Sequence, residues 1–290
     1  MKIGLNLPVM TPGLDRERLH AWCRGIDEGP FSSLAVGERV NFPNPEMTVA
    51  ISAAAAWTTR VPLVYNVMVL PTHPEARAAK QIATLDVLSN GRVVLGVGVG
   101  GREDDYAAVG APWPGRLARL ERQVGELRRL WAGGLANGAT DPIEPKPIQP
   151  GGPSILVGAL FPRAITRAAR FADGVLGFSF TLAREELDYA FEGARSAWKA
   201  AGRAAPPRLV TGCWFALGPG GRRQMDEYLA RYLRFLGPTA AGLIPLVPTV
   251  DARGLRAGVA RARDAGADEI ILAPTTLDPD EVRRVEDLLF

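Results

Sequence analysis

The sequence predicts an α/β fold closing into a (β/α)8 barrel, and three observations carry the prediction. Eight short β-branched or apolar runs punctuate the 290 residues. Amphipathic helical stripes lie between them. Most of the runs are continuously apolar instead of strictly alternating, which suits strands covered on both faces. Alternating β and α units argue for a parallel sheet with right-handed crossovers, and eight such units argue for closure. An open, doubly wound sheet is the competing architecture.

Taken in order, the strand runs fall at 2–7 (KIGLNL), 33–37 (SLAVG), 61–70 (VPLVYNVMVL) and 93–99 (VVLGVGV), then at 154–158 (SILVG), 175–180 (VLGFSF), 208–217 (RLVTGCWFAL) and 269–273 (EIILA). Ala78, Ile82, Leu85 and Leu88 mark a helix by their spacings of four, three and three. Leu117, Leu120, Val124, Leu127 and Trp131 mark a second; Leu187, Phe191, Ala194 and Trp198 a third; Val282, Val285 and Leu289 a fourth. Each stripe gives a helix one apolar face to lay on a sheet. Residues 132–153 are rich in Gly and Pro and carry no helical period, so a long loop precedes strand five; such loops often act as lids. The segment 218–252 inserts between strands seven and eight, with an extra helix around 222–236. One domain over 1–290 is expected, since α/β barrels of this length form single units.

Composition excludes several classes. Net charge is +3 and the basic residues are spread along helices, so nucleic acid is not an expected partner. The basic isoelectric point fits either a solvated surface or a pocket for an anionic group. Cys23 and Cys213 are far apart and form no CxxC pattern, which points to a reduced, cytoplasmic setting with neither a disulfide framework nor a zinc site. With two histidines and no convergent Cys or carboxylate cluster, no metal is expected. No apolar stretch is long enough to cross a membrane, and the first residues do not read as a signal peptide.

In such a barrel the chemistry sits at the carboxyl ends of the strands. Strand two ends in Gly37, Glu38 and Arg39; strand four ends in Gly96, Gly98, Gly100 and Gly101. The run GVGVGG departs from a dinucleotide fingerprint in spacing and position. Glycines there either let a flat ring or a phosphate approach the backbone or relieve crowding in the barrel. The turn Gly158-Ala159-Leu160-Phe161-Pro162-Arg163 opens a helix with Pro162, and its free N–H groups with Arg163 make an anion site, the alternative being an ordinary helix start. Asn66, polar within an apolar strand, bonds either neighbouring backbone or a ligand. His73, between Thr72 and Pro74, reads as a capping or structural residue ahead of a general base. Few acids or bases line this mouth, as expected where a cofactor carries the chemistry.

Together the segments Glu28 to Phe31, SLAVGER, VMVLPTHP, AKQIATLDVLSNGRVVLGVGVGGREDDYAAVG and VGALFPRAITRAARFADG resemble the luciferase-like monooxygenase superfamily, which includes bacterial luciferase and the coenzyme F420-dependent oxidoreductases. The block at 79–110 is the most specific. The resemblance implies a reduced FMN or coenzyme F420 as cofactor, F420 slightly favoured, a small-molecule substrate and a homodimer. It implies a non-proline cis bond at Asn66–Val67 under the ring. It places cofactor contacts at Asn66, Val67, Gly98, Gly100, Gly101, Gly158, Ala159, Leu160 and Arg163, with the phosphate near Gly98 to Gly101 and Gly158 to Arg163. Many members carry a His after strand two in an Asp-His or Glu-His pair, whereas this chain has Glu38-Arg39. Arg is no base near neutral pH. Glu38 and Arg39 are therefore the candidate catalytic residues in altered roles, Arg39 orienting an anionic group and Glu38 partnering it or accepting a proton; a purely structural pair is the alternative. The position matching a flavin-phosphate Arg of luciferases falls near Val99, which has no charge. A flavin-binding protein without catalysis is the alternative to an oxidoreductase.

Overall fold

The computed structural model describes residues 1–159 and 161–290. Its eight parallel strands are β1 (Lys2–Asn6), β2 (Leu34–Val36), β3 (Leu63–Met68), β4 (Val93–Val97), β5 (Ser154–Val157), β6 (Gly174–Leu176), β7 (Arg208–Phe215) and β8 (Glu269–Pro274). They close in sequence order, with β1 returning to β8 through Lys2↔Glu269 to Leu5↔Leu272. The barrel is the (β/α)8 architecture that the alternation predicts. Several strands stop short of their apolar runs. The third turns into a 3-10 segment at Leu70–Thr72, and the sixth ends at Leu176, because the chain beyond bends over the carboxyl-end mouth.

Two apolar layers follow from the period of two along a strand. Ala35, Val64, Leu156, Leu176, Val210 and Ile271 form a compact cluster that fills the barrel, with Val67 and Val94 packed against it. Their neighbours, such as Leu34, Leu63, Ile155 and Ile270, face the helices in a second, larger core. Some helices start where the sequence supplies an acceptor. Asp15 takes the Arg18 N–H and Asp251 the Gly254 N–H, relieving otherwise unpaired donors of the first turn.

The sequence block at 85–92 has a structural cause. Helix Glu75–Leu88 ends at Ser89, and the chain reverses through Asn90 (φ 55°) and Gly91 (φ 76°). That reversal aims Arg92 into carbonyls: Nε donates to Ser89 O, Nη1 to Val61 O, and Nη2 to Ala55 O and Thr58 O. One guanidinium thus ties the end of helix Met47–Trp57 to the starts of β3 and β4.

The amino end of the barrel is closed by polar groups. Buried Glu269 accepts from Ser32 Oγ (2.6 Å) and Ser33 Oγ (2.7 Å) and pairs with Arg208 Nη2 (2.5 Å). A cavity of about 410 Å3 beside Met1, Lys2, Arg208 and Asp268 belongs to this end.

The 132–153 loop does not act as the expected cover of the mouth. It joins a helix to the start of β5, so topology puts it near the amino end. There the fully buried Asp86 carboxylate accepts from the backbone N–H groups of Ile148 (2.9 Å) and Gln149 (3.1 Å) and from Gln149 Nε2 (2.6 Å). Lys80 Nζ donates to Glu144 O. The segment that reaches over the mouth is the insertion after β7, comprising helix Gly221–Tyr232, a 3-10 turn at Arg234–Leu236, helix Thr239–Leu243 and a second 3-10 turn at Ile244–Leu246.

Candidate functional site

The mouth has two unlike halves. On the β3–β5 side the rim is nearly free of side chains. The Asn66–Val67 bond is cis, and the β3–β4 register shifts between Tyr65 and Met68. Past that bond Val67 points inward. A Cβ at Gly98 would lie 2.8 Å from Val67 Cγ2, and one at Gly158 would lie 3.3 Å from Val67 Cγ1. Gly100, at φ +62°, gives way in the same manner to Val69. The glycines therefore make room first for the valines of β3, which form a half-buried apolar shelf. Asn66 stands beside it and donates to Asn6 Oδ1 at 3.3 Å, while Asn6 donates to Leu7 O. The two amides at the ends of β1 and β3 support each other within the barrel.

The opposite half is aromatic. Phe178 and Phe180 follow β6, and Trp214 lies on β7, with centroid separations to Trp214 of 4.4 and 5.0 Å. Tyr232 of the insertion continues the arc at 5.4 Å from Trp214, and Phe42, from the loop after β2, closes it at 6.0 Å from Tyr232. Edge-on contacts of this kind hold rings in fixed orientations.

Glu38 and Arg39 leave β2 in different directions and do not pair with each other. Both Glu38 oxygens are taken: Oε1 sits 2.7 Å from His73 Nε2, and Oε2 accepts the Val69 N–H at 2.5 Å. Gln123 Nε2 in turn donates to His73 O. Burial alone would lower the His73 pKa, but the hydrogen bond and charge of Glu38, with Glu46 adding to them, outweigh it and raise the pKa above the ordinary range. Glu38 thus meets a histidine from the end of β3, 35 residues along the chain, although the adjacent position holds Arg. The carboxylate also fixes the backbone that carries the valine shelf.

Arg39 goes to the aromatic side. Its guanidinium lies 3.8 Å from the Tyr232 ring centroid, 4.5 Å from Phe42 and 5.4 Å from Phe235, and Nη2 donates to Tyr232 O at 2.8 Å. It is only 8% exposed. Burial, with the nearby positive Arg102 adding to it, lowers its pKa from the usual value.

The remaining predicted contacts are more scattered. Gly158 is bonded to β4 through its N–H to Val97 O, and Ala159 is buried. Arg163 is exposed on the short helix Pro162–Ala168, beside a shallow groove shared with Thr166, Arg167 and Arg170. Leu160 lies outside the described residues. Three features of the mouth went unread in the sequence: the Glu38–His73 contact, the Tyr232 and Phe235 cover, and the Trp214 cluster. The length of the insertion was the available signal for the second.

A family model described as luciferase-like monooxygenase matches residues 4–283. The chain belongs to that family. This luciferase-like chain is 34% identical over 171 residues to an uncharacterized protein of Mycobacterium tuberculosis, a match covering 56% of the chain and 59% of that relative. It therefore spans less than two thirds of the curated relative's length. Among solved structures, monooxygenase RslO1 from Streptomyces bottropensis superposes with a TM-score of 0.79 at 24% identity, covering 99% of this chain and 97% of that one. An F420-dependent secondary alcohol dehydrogenase superposes at 0.78 and 17% identity, covering 99% and 98%. Both likenesses concern the barrel. Among the described residues of this luciferase-like barrel, no group of three His, Cys, Asp or Glu is placed to hold a metal, and no helix is long and apolar enough to cross a membrane.

Proposed function

We propose that this chain is an oxidoreductase that holds reduced FMN or coenzyme F420 in the barrel mouth and acts on a small organic substrate. The observation that carries the reading is the apolar shelf formed by the Val67 side chain between Gly98 and Gly158, which faces an aromatic arc. A planar tricyclic ring needs an apolar support on one side and a path free of side chains, and these residues fit it. The bound cofactor supplies either oxygen activation from the reduced flavin or a hydride from the reduced deazaflavin.

The chain's own residues do the placing. Asn66 and Val67 carry the ring, with Gly98 and Gly100 seating Val67 and Val69 beneath it and Gly101 at the rim beside it. The Gly158–Arg163 turn, Ala159 and Leu160 included, receives the phosphate end, and Arg163 supplies positive charge there. Glu38, with both oxygens engaged by the protein, works by holding His73 and the Val69 N–H in position. Arg39 faces the substrate. Tyr232 and Phe235 exclude water, a role that strengthens polar interactions in the closed site. F420-dependent and monooxygenase barrels both stand among its structural neighbours, so either cofactor suits the fold. The chain is assigned one barrel unit over 1–290, a homodimeric state by family resemblance, and a cytoplasmic setting consistent with two buried free thiols.

The deciding experiment is titration of the purified chain with FMN and with F420, following ring fluorescence, and then turnover of the reduced form that binds. Saturable quenching by one of them is expected. Absence of binding by both ends the proposal, and binding without any consumption of reduced cofactor against a broad substrate panel favours a non-catalytic carrier.

A further inference from the structure

Arg39 is an anomaly of the mouth. It is a guanidinium more than nine-tenths buried, and among the described residues it has no carboxylate within ion-pair distance. Its Nη1 is buried with no hydrogen-bond partner. Buried charges are normally paired, because taking a cation from water is costly. The carboxylate nearest to the problem, Asp105, is committed elsewhere: it accepts the Asn41 N–H at 2.8 Å and lies 3.2 Å from Arg102 Nε.

A second guanidinium shares a ring with Arg39. Phe235, from the insertion, has both Arg39 and Arg102 against its ring, each 5.4 Å from its centroid. Phe235 also lies 3.6 Å from where a Cβ on Gly101 would stand. It is 42% exposed and sits on a three-residue 3-10 turn, so its ring is held by little. A phenyl ring beside two cations offers cation–π attraction but no hydrogen-bond acceptor. An oxyanion in the same place would answer the unpaired Arg39 charge and its idle Nη1, beside an Arg102 that already pairs with Asp104 at 2.7 Å and Asp105 at 3.2 Å.

We propose that the Arg39–Phe235–Arg102 corner is a recognition site for an oxyanion of the ligand, with Phe235 as its displaceable cover. The assignment rests on reading the mouth as the reaction site, and it names a substrate class for that site: small molecules bearing a carboxylate. The planar fork of a guanidinium matches a carboxylate edge, and its rings of support keep it from turning away. A phosphate group presents the same chemistry, so the test separates the two sources.

The test uses the full chain without added cofactor, at constant ionic strength. Calorimetric titrations compare benzoate, its neutral counterpart benzamide, and inorganic phosphate. Benzoate is expected to bind about tenfold more tightly than benzamide, as one charge-assisted contact would give. Arg39→Gln should abolish the difference, whereas Arg253→Gln, on an exposed helix surface, should keep it. Phe235→Ala should strengthen benzoate binding about threefold or more by removing the cover. Phosphate binding that is lost in Arg39→Gln, without benzoate binding, supports the site and assigns it to a phosphate. Equal binding of benzoate and benzamide with no phosphate binding overturns it, as does discrimination that survives Arg39→Gln. Should Arg39→Gln not fold, the Phe235→Ala comparison decides: unchanged or weaker benzoate binding overturns the proposal. The same samples titrated with FMN and F420 separate the two readings. Ring binding without anion discrimination removes the corner and spares the cofactor reading; the converse spares the corner.

Discussion

Replacing Gly98 by alanine would set a methyl group 2.8 Å from Val67 Cγ2, closer than real Cβ contacts come. Val67 has little freedom to yield, since a β-branched side chain has few rotamers. Overpacking of this kind costs about 1–3 kcal/mol. For a chain of this size that corresponds to a fall of about 2–5 °C in Tm. Val67→Ala removes the obstructing methyls, so the double variant Gly98→Ala/Val67→Ala should be more stable than the sum of the single effects by about 1 kcal/mol. Thermal unfolding of the four proteins in the cycle measures it, and FMN and F420 titration of the same four gives the functional counterpart. The cofactor affinity lost in Gly98→Ala should partly return in the double variant. Strict additivity of the two changes in Tm would show that Gly98 and Val67 do not compete for this space, and the shelf would then have another cause.

The remaining predictions address the charged networks. Because His73 is raised in the folded chain, its contribution to stability is fully present below the unfolded pKa near 6.5 and is lost as pH rises through the folded value. Tm should therefore fall, as pH rises above about 6.5, more steeply in the native chain than in Glu38→Gln; parallel profiles would remove the charge coupling. Asp86→Ala strips three acceptor contacts from the 132–153 loop and should cost about 2–4 kcal/mol. Limited proteolysis should cut that loop much faster while cofactor affinity stays unchanged, and an affinity loss would mean the loop serves the mouth after all. Glu269→Ala leaves Arg208 without its partner at the barrel floor and should destabilise by about 3–5 kcal/mol; denaturant unfolding beside cofactor titration would show whether the damage stays at that end.

How much was legible in the sequence depended on how local the cause was. The barrel was readable because each strand and each helical face carries its own period, and eight units leave few ways to close. The bare rim at Gly98, Gly100 and Gly158 was readable as glycine at strand ends, but its occupants were not: only the reversal of facing after Asn66 brings Val67 and Val69 into those spaces. His73 looked structural from its place beside Pro74. Its contact with Glu38 spans 35 residues and depends on the β2–β3 register, which local patterns do not report. Arg39 was singled out as a departure from the family, yet two of the three rings around it, Tyr232 and Phe235, come from nearly two hundred positions away. The long loop at 132–153 was assigned to the wrong end because length attracted notice while connectivity decided the matter. A helix-to-strand connection returns to the floor, and only a strand-to-helix connection can reach the mouth.

The insertion after β7 departs from and returns to almost one point. Ala216 N donates to Thr249 O at 3.0 Å, and Thr249 Oγ1 donates back to Trp214 O. A segment pinched at its base is an appendage whose length the barrel hardly feels, since closure entropy grows only slowly with added residues. Shortening, lengthening or transplanting the stretch between those two anchors would exchange Tyr232 and Phe235 for other tips while the eight strands kept their register. Such a chassis can acquire new ligands by trading one peripheral arch, with no redesign of its interior.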